Sequence, residues 1–122
     1  MITLKQLETL GGATLDSTTK EPVSLDLGYM VGLEGYGSVY ALETLDNATF
    51  QRALESSKLD IALKTFEHLG VSAFVGCWVD NNLVYIDLSV RVYDVQQAVS
   101  LGKINNQIAI YDVVMDCDIL VD

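Results

Sequence analysis

Chemistry near neutral pH needs a nucleophile, a base or a charged cradle, and this chain offers few of each. Its only histidine, His68, ends an amphipathic segment beside Leu69 and Gly70. A helix C-terminus favours a protonated imidazole, so capping accounts for His68 as well as catalysis would. The two cysteines are Cys77, in an apolar run, and Cys117, in an acidic one. Apolar surroundings oppose thiolate formation at Cys77, and no GxSxG elbow occurs. Two Cys and one His cannot close a zinc site, and no CxxC pair is present. Two buried, reduced thiols are expected, with a disulfide open if their strands are neighbours. The run GLEGYG at 32–37 imitates a phosphate-binding loop. It lies between two apolar runs, 28–33 and 38–43, and no Lys follows it, so a hairpin turn is the reading. No catalytic residue, cofactor or metal is assigned.

Carboxylates are plentiful: Asp80, Asp87, Asp112, Asp116, Asp118 and Asp122 crowd the second half. Oxygen ligands suit a hard cation, but the same residues suit a solvated edge that deters strand addition. On one side of a strand, Asp116 and Asp118 would stand about 6.8 Å apart. Asp112, Asp116, Asp118 and Asp122 are read as acidic surface.

Better organised is GCWVDNNLVYIDLSVRVYD, Gly76 to Asp94. Asn81 and Asn82 tolerate positive φ and suit a two-residue hairpin turn. Val79 then faces Val84, Trp78 faces Tyr85, Gly76 faces Asp87 and Phe74 faces Ser89. In the second strand Val84, Ile86, Leu88, Val90 and Val92 point one way, and Tyr85, Asp87, Ser89, Arg91 and Tyr93 the other. A one-residue slip would bury Asp87 and Arg91, so the register is firmly specified. Gly76 opposite Asp87 leaves room above the sheet. Trp78 and Tyr85 offer a flat aromatic platform, and Asp87 and Arg91 offer fixed polar groups. Trp78, Tyr85, Asp87, Ser89, Arg91 and Tyr93 are therefore the candidate ligand- or partner-binding residues. The plain alternative is a sheet face covered by a helix or by the 17–27 segment.

The elements that must position this hairpin can be read from pattern and caps. Thr3 caps a short helix whose stripe is Leu4, Leu7 and Leu10, and Gly11-Gly12 stops it. A short strand, ATLD, precedes the polar segment STTKEPVSLDL, which holds the only Pro. Asp46 or Asn47 opens a helical region over about 47–69. Ser57-Lys58-Leu59-Asp60 fits a second capping box, so the helix breaks near Ser56 and restarts, with Leu59, Ala62, Leu63 and Phe66 inward. Asp94, with Gln97 three residues on, caps a later helix over about 95–104, with Val95, Ala98, Val99 and Gly102 inward. Strands near 107–113 and 117–121 follow. The fold class is α+β: one domain, 1–122, of mainly antiparallel sheet built from hairpins, with one broken helix and one later helix.

Length and charge bound the function. The 122 residues suffice for one core, and half are hydrophobic, which argues against disorder. No apolar run approaches a membrane span, and the N-terminus lacks the apolar stretch of a secretory signal, so a cytoplasmic protein is expected. Seven basic residues against seventeen acidic ones give a net charge of −10. Direct nucleic-acid binding is disfavoured, because phosphate contacts need clustered Lys and Arg. An acidic surface suits a basic partner, including a protein whose own ligand is nucleic acid; solubility alone also explains it.

Across residues 76–112 the pattern Gly-x-Trp-x-Asp, Tyr-x-Asp-x-Ser, Ala-x-x-x-Gly and Asn-Gln-x-Ala-Ile-x-Asp recurs here as Gly76, Trp78, Asp80; Tyr85, Asp87, Ser89; Ala98, Gly102; and Asn106, Gln107, Ala109, Ile110, Asp112. It resembles the C-terminal half of small accessory proteins of bacteriophages and prophages. The resemblance covers about a third of the chain well and carries no catalytic residues with it. It implies a phage-encoded protein acting in a bacterial cytoplasm. One expected role is antagonism of a host defence system, by binding a host protein with a basic surface or by sequestering a small nucleotide, for which Arg91, Lys103 and helix N-termini are the available donors. A second is a virion-associated or assembly protein that forms homo-oligomers through sheet edges. An enzyme is the third.

Overall fold

In the computed structural model, residues 1–121 are described. Asp122, one of the predicted acidic residues, lies outside them. The elements run α1 (Leu4–Leu10), β1 (Gly12–Leu15), β2 (Tyr29–Ala41), a 3-10 turn (Leu42–Thr44), α2 (Asn47–Leu54), α3 (Ser57–His68), β3 (Ala73–Asp80), β4 (Leu83–Val92), α4 (Val95–Ile104), β5 (Ala109–Asp112) and β6 (Cys117–Leu120). The strands form one six-stranded sheet in the order β1-β3-β4-β2-β5-β6, and every pairing is antiparallel. The fold is α+β.

Local chemistry explains most boundaries. Thr3 closes a reciprocal capping box with Gln6 at the start of α1, and left-handed Gly11 ends it. Asp46 accepts from the Thr49 amide at the start of α2, and Asp94 from the Gln97 amide at the start of α4. The broken helix restarts one residue before the predicted box: Ser56, not Ser57, is the cap, and it accepts from the Leu59 amide. In the β3–β4 turn Asn81 and Asn82 both take positive φ, 51° and 63°. The resulting register is the predicted one, Val79 to Val84, Trp78 to Tyr85, Gly76 to Asp87 and Phe74 to Ser89.

GLEGYG is not a hairpin turn. β2 runs straight through it as a single strand of 13 residues paired with β4 along both halves. Leu33 pairs with Leu88 and Ser38 with Ile86, so residues 34–37 bulge out opposite Asp87 alone. β4 is long and regular enough to hold both halves of β2, and Gly35, at φ 93°, supplies the left-handed backbone the bulge needs.

The core lies on one face of the sheet. Val84, Ile86, Leu88 and Val90 of β4 join Val31 and Leu33 of β2, Val75 and Cys77 of β3, and Leu15 of β1. The helices close over it with Leu4 and Leu7, with Phe50 and Leu54, with Leu59 and Leu63, and with Ala98. Gly102 lets α4 approach: a Cβ there would stand 3.1 Å from Ile110 and from Val121. Two inward assignments fail. Leu10, in the last turn of α1, and Val95, in the first turn of α4, are exposed, whereas Val92, at the end of β4, is half-buried and packs against the core as expected. Cys77 is buried in β3 but Cys117 is exposed on β6, and both are free, so the expected pair of buried thiols is a single one. Their strands stand at opposite parts of the sheet, separated by β4, β2 and β5.

The two sheet edges differ. Along β1, Leu15 bridges to Pro22 and the Val23 amide donates to the Thr14 carbonyl, so the 16–23 turn seals that edge. This turn is ordered by Asp16, whose carboxylate accepts from the Thr18 and Thr19 amides and is held below its ordinary pKa by them. No such cover lies along β6 among the described residues.

Candidate functional site

The second face of the sheet carries the predicted binding residues, and strand alternation places them there. Antiparallel partners share a side, so Gly12 of β1, Trp78 of β3 and Tyr85 of β4 form one row across the sheet. Thr14, Gly76 and Asp87 form the next, and Phe74, Ser89 and Gly32 the one after. Trp78 and Tyr85 stack with centroids 5.2 Å apart and planes only 8° from parallel. Trp78 keeps 37 % of its surface exposed, so its outer ring face is free to take a further flat group.

Asp87 lies flat against the strands because three neighbours lack side chains. A Cβ on Gly76 would stand 2.6 Å from Asp87 Oδ1, and one on Gly32 2.8 Å from Oδ2. At Gly37, in the bulge, a Cβ would meet the Ile86 carbonyl at 2.6 Å and the Asp87 Cβ at 3.2 Å. The carboxyl is thus laid between β3 and β2, over glycine backbone on both sides. Its hydrogen bond among the described residues comes from the Ser89 hydroxyl, at 3.3 Å to Oδ1. Burial raises its pKa to about 7, and the Ser89 bond only partly offsets this. Near neutrality Asp87 is therefore present both as a hydrogen-bond-donating acid and as a carboxylate. Across the sheet on the core side, burial first and the Asp87 charge second push the Cys77 thiol up to about 12. Cys77 is consequently an inert core thiol.

Arg91 and Tyr93 stand apart from this centre. The Arg91 side chain packs over Gly28, where a Cβ would stand 2.9 Å from its Cγ. Its guanidinium reaches 4.0 Å from Asp26, and its Nε is buried without a partner. Tyr93 falls beyond the end of β4, exposed, with its ring 5.2 Å from the Arg91 guanidinium. The predicted row of five therefore ends at Arg91, and the aromatic–carboxyl cluster is Trp78, Tyr85, Asp87 and Ser89. The 17–27 segment meets this face at its Arg91 end, through Asp26, and leaves Trp78 exposed.

Of the predicted acidic surface, Asp118 is exposed on β6 as expected. Asp112 is not surface. It is buried, and its carboxylate accepts from the Val114 and Met115 amides at 3.1 and 3.2 Å, which builds the β5–β6 turn. Asp116 is exposed as expected, but it sits in that turn at φ 50° and not on a strand beside Asp118, and it accepts from the Tyr111 hydroxyl. That bond, more than burial, pushes the Tyr111 pKa up to about 12. Among the described residues no three His, Cys, Asp or Glu side chains gather as a metal cage. His68 is the exposed last residue of α3, and Lys103 is exposed near the end of α4.

Two features of the site escaped the sequence reading. One is the bulge, whose glycine signal was visible but pointed to a turn. The other is its clamp: Asn105 Oδ1 accepts from the Glu34 amide at 3.1 Å, and Asn106 Nδ2 donates to the Glu34 carboxylate at 2.8 Å. Next in the chain, Gln107 reaches over Gly32, with its Oε1 placed 3.1 Å from where a Cβ would stand. Asn106 and Gln107 thus pack against the bulge beside Asp87. Two shallow hollows lie elsewhere. One, of about 390 Å³, lies along α1 between Lys5 and Pro22; another, of about 330 Å³, lies between Ser17 and Phe74. The aromatic–carboxyl cluster is an open surface rather than a cavity. No helix of the described residues is long and apolar enough to cross a membrane. No protein-family model, curated protein or solved structure matches the chain.

Proposed function

We propose that this chain is a non-enzymatic binding protein that engages a macromolecular partner through the face around Trp78, Tyr85 and Asp87. The observation that carries the reading is the half-exposed Trp78 ring stacked on Tyr85 beside a carboxyl laid over glycines. Aromatic anchors next to a desolvated polar group are what binding hot spots are made of. A flat, open surface suits a protein better than a small molecule, which is held in a concavity. The net charge of −10 favours a basic partner. Sequestration of a nucleotide is supported less well, because Arg91 is already engaged with Tyr93 and faces Asp26. With the phage-like pattern of residues 76–112, the partner is a component of a bacterial defence system whose basic groove this protein would occupy in place of nucleic acid.

The test is affinity-tagged protein recovered from a bacterial lysate and weighed by native mass spectrometry, beside Trp78→Ala and Asp87→Ala. A co-purifying protein that is lost from both variants, while each variant stays folded, is the expected result. Retention of the same partner by both variants would remove this face from consideration. An added mass of only a few hundred daltons would replace the protein partner with a small ligand.

A further inference from the structure

The geometry points to the open edge of β6 as a second docking site, which accepts an extended, lysine- or arginine-bearing segment of a partner protein as a seventh strand. It is independent of the Trp78 face and would stand if that reading failed. The first observation is backbone direction. The Val121 amide donates to the Ile108 carbonyl, and β5 pairs with β6 from Ala109 and Leu120 to Asp112 and Cys117. In an antiparallel ladder bonded and non-bonded pairs alternate, so Ile119 and Cys117 turn their N–H and C=O groups toward β5. The groups of Asp118 and Leu120 therefore turn outward, with no strand beyond them among the described residues. On the other side of β5 the alternation agrees: the Val113 amide donates to Gly28, which sets Tyr111 and Met30 as a bonded pair.

The second observation is the contrast with the other edge. β1 is sealed by Pro22 and Val23, whereas β6 has no proline, bulge or lysine, and its guards are its length of four residues and the Asp118 charge, which repels an acidic strand but not a basic one. Beside it the apolar side chains are open, with Val114 65 %, Met115 69 % and Leu120 70 % exposed. Charge then selects the occupant. Asp118 is exposed on β6 and Asp116 lies in the turn before it, and no Lys or Arg follows Lys103. Two copies of this edge would set Asp118 and Asp116 against their counterparts on chains of charge −10, so a second copy is a poor fit. A basic segment is a good one. Its main chain pairs with Asp118 and Leu120, a cationic side chain lies against Asp118, and an apolar one lies on Leu120.

The test uses a synthetic peptide of about ten residues in Lys-Thr-Val-Thr repeats, which sets Lys and Val in turn on one face at the length of an ordinary strand, with a Glu–Val peptide of the same design as its control. Amide exchange is followed residue by residue. The Lys–Val peptide is expected to protect the Asp118 and Leu120 amides and to leave those of β1 unchanged. Leu120→Pro removes an outward N–H that the fold does not use, and it should abolish the protection. Asp118→Lys, which alters no backbone group, should weaken the Lys–Val peptide about fivefold and favour the Glu–Val peptide. The inference is overturned if neither amide is protected at saturating peptide, or if the Glu–Val peptide protects them equally. Protection of both amides without peptide, in a protein that sediments as a dimer, would make the occupant a second copy and would overturn it as well.

Discussion

On one side of β4, Val84, Ile86, Leu88 and Val90 are no more than 3 % exposed; on the other, Tyr85, Asp87, Ser89 and Arg91 are only half-buried. The same ten-residue strand builds both sides. The first is uniform and aliphatic, and each side chain there stabilises by burial, on the order of 1.5–3 kcal/mol. The second is mixed, and several of its groups cost stability. Asp87 is a carboxyl held where burial opposes its charge, Arg91 Nε is buried without a partner, and Trp78 leaves apolar ring surface in water. Trp78, which stacks on Tyr85 from β3, completes that set. The difference teaches that one side specifies the fold, while the other carries groups whose burial does not account for them.

Asp87 gives the sharpest way to break this contrast. Its folded pKa of about 7 lies above the ordinary 3.8 of a free carboxyl. The folded state therefore holds the proton more tightly than the unfolded state. The neutral form is favoured in the fold, so this contribution is complete below about pH 4 and is lost as pH rises through 7. The loss between about pH 4 and pH 8 is on the order of 4 kcal/mol. Asp16 has the opposite sign: its lowered pKa stabilises the fold above the ordinary value and is lost in acid. Urea unfolding of the wild-type protein should show stability falling from about pH 5 to pH 8, and Asp87→Asn should flatten that slope. A wild-type slope that persists in Asp87→Asn would place the titrating group elsewhere and return Asp87 to an ordinary surface role.

Much of this contrast was legible in the sequence, for reasons that differ by element. The alternation of β4 and the Asn81-Asn82 turn together leave a single register, because any slip buries charge. Caps at Thr3, Asp46 and Asp94 are local, and local chemistry reads without tertiary knowledge. The bulge was not legible. Gly32, Gly35 and Gly37 signal a turn as well as a bulge, and only pairing with the full length of β4 decides between them. Asp112 and Asp116 were misplaced for a similar reason: an Asp in an Asx turn and an Asp on an exposed strand look alike until the turn residues are known. The Asn105–Asn106 clamp on Glu34 spans more than seventy positions in sequence, beyond any local pattern.

The glycines offer a second, smaller test, since they tie the two sides of the cluster together. A methyl on Gly76 would stand 2.6 Å from Asp87 Oδ1 and 2.9 Å from Ser89 Oγ. Gly76→Ala should therefore destabilise the protein by about 1–3 kcal/mol, the usual cost of overpacking. If the cause is the carboxyl, the same substitution in an Asp87→Ala background should cost less than half as much, a non-additivity that a double-mutant cycle measures. Equal costs in both backgrounds would mean that Gly76 matters for its backbone and not for the room it leaves Asp87.

Trp78→Ala carries the smallest expected effect and bears most directly on function. Trp78 is the largest side chain in the chain, yet more than a third of it faces water, and its main contact is the Tyr85 ring. Its stacking contributes about 0.5–1.5 kcal/mol beyond the area it buries, and with part of the ring already in water the whole loss falls below that of a fully buried Trp, about 3–5 kcal/mol. A buried leucine such as Leu88 costs about 2–5 kcal/mol when cut to alanine. The urea midpoint of Trp78→Ala should accordingly shift less than that of Leu88→Ala, at an unchanged m-value. If the loss instead matched that of a core leucine, Trp78 would belong to the fold, and its aromatic surface could no longer be argued to exist for a partner. A smaller loss keeps open the division between the two sides of β4, because the proposed contact role requires a ring that the core does not depend on.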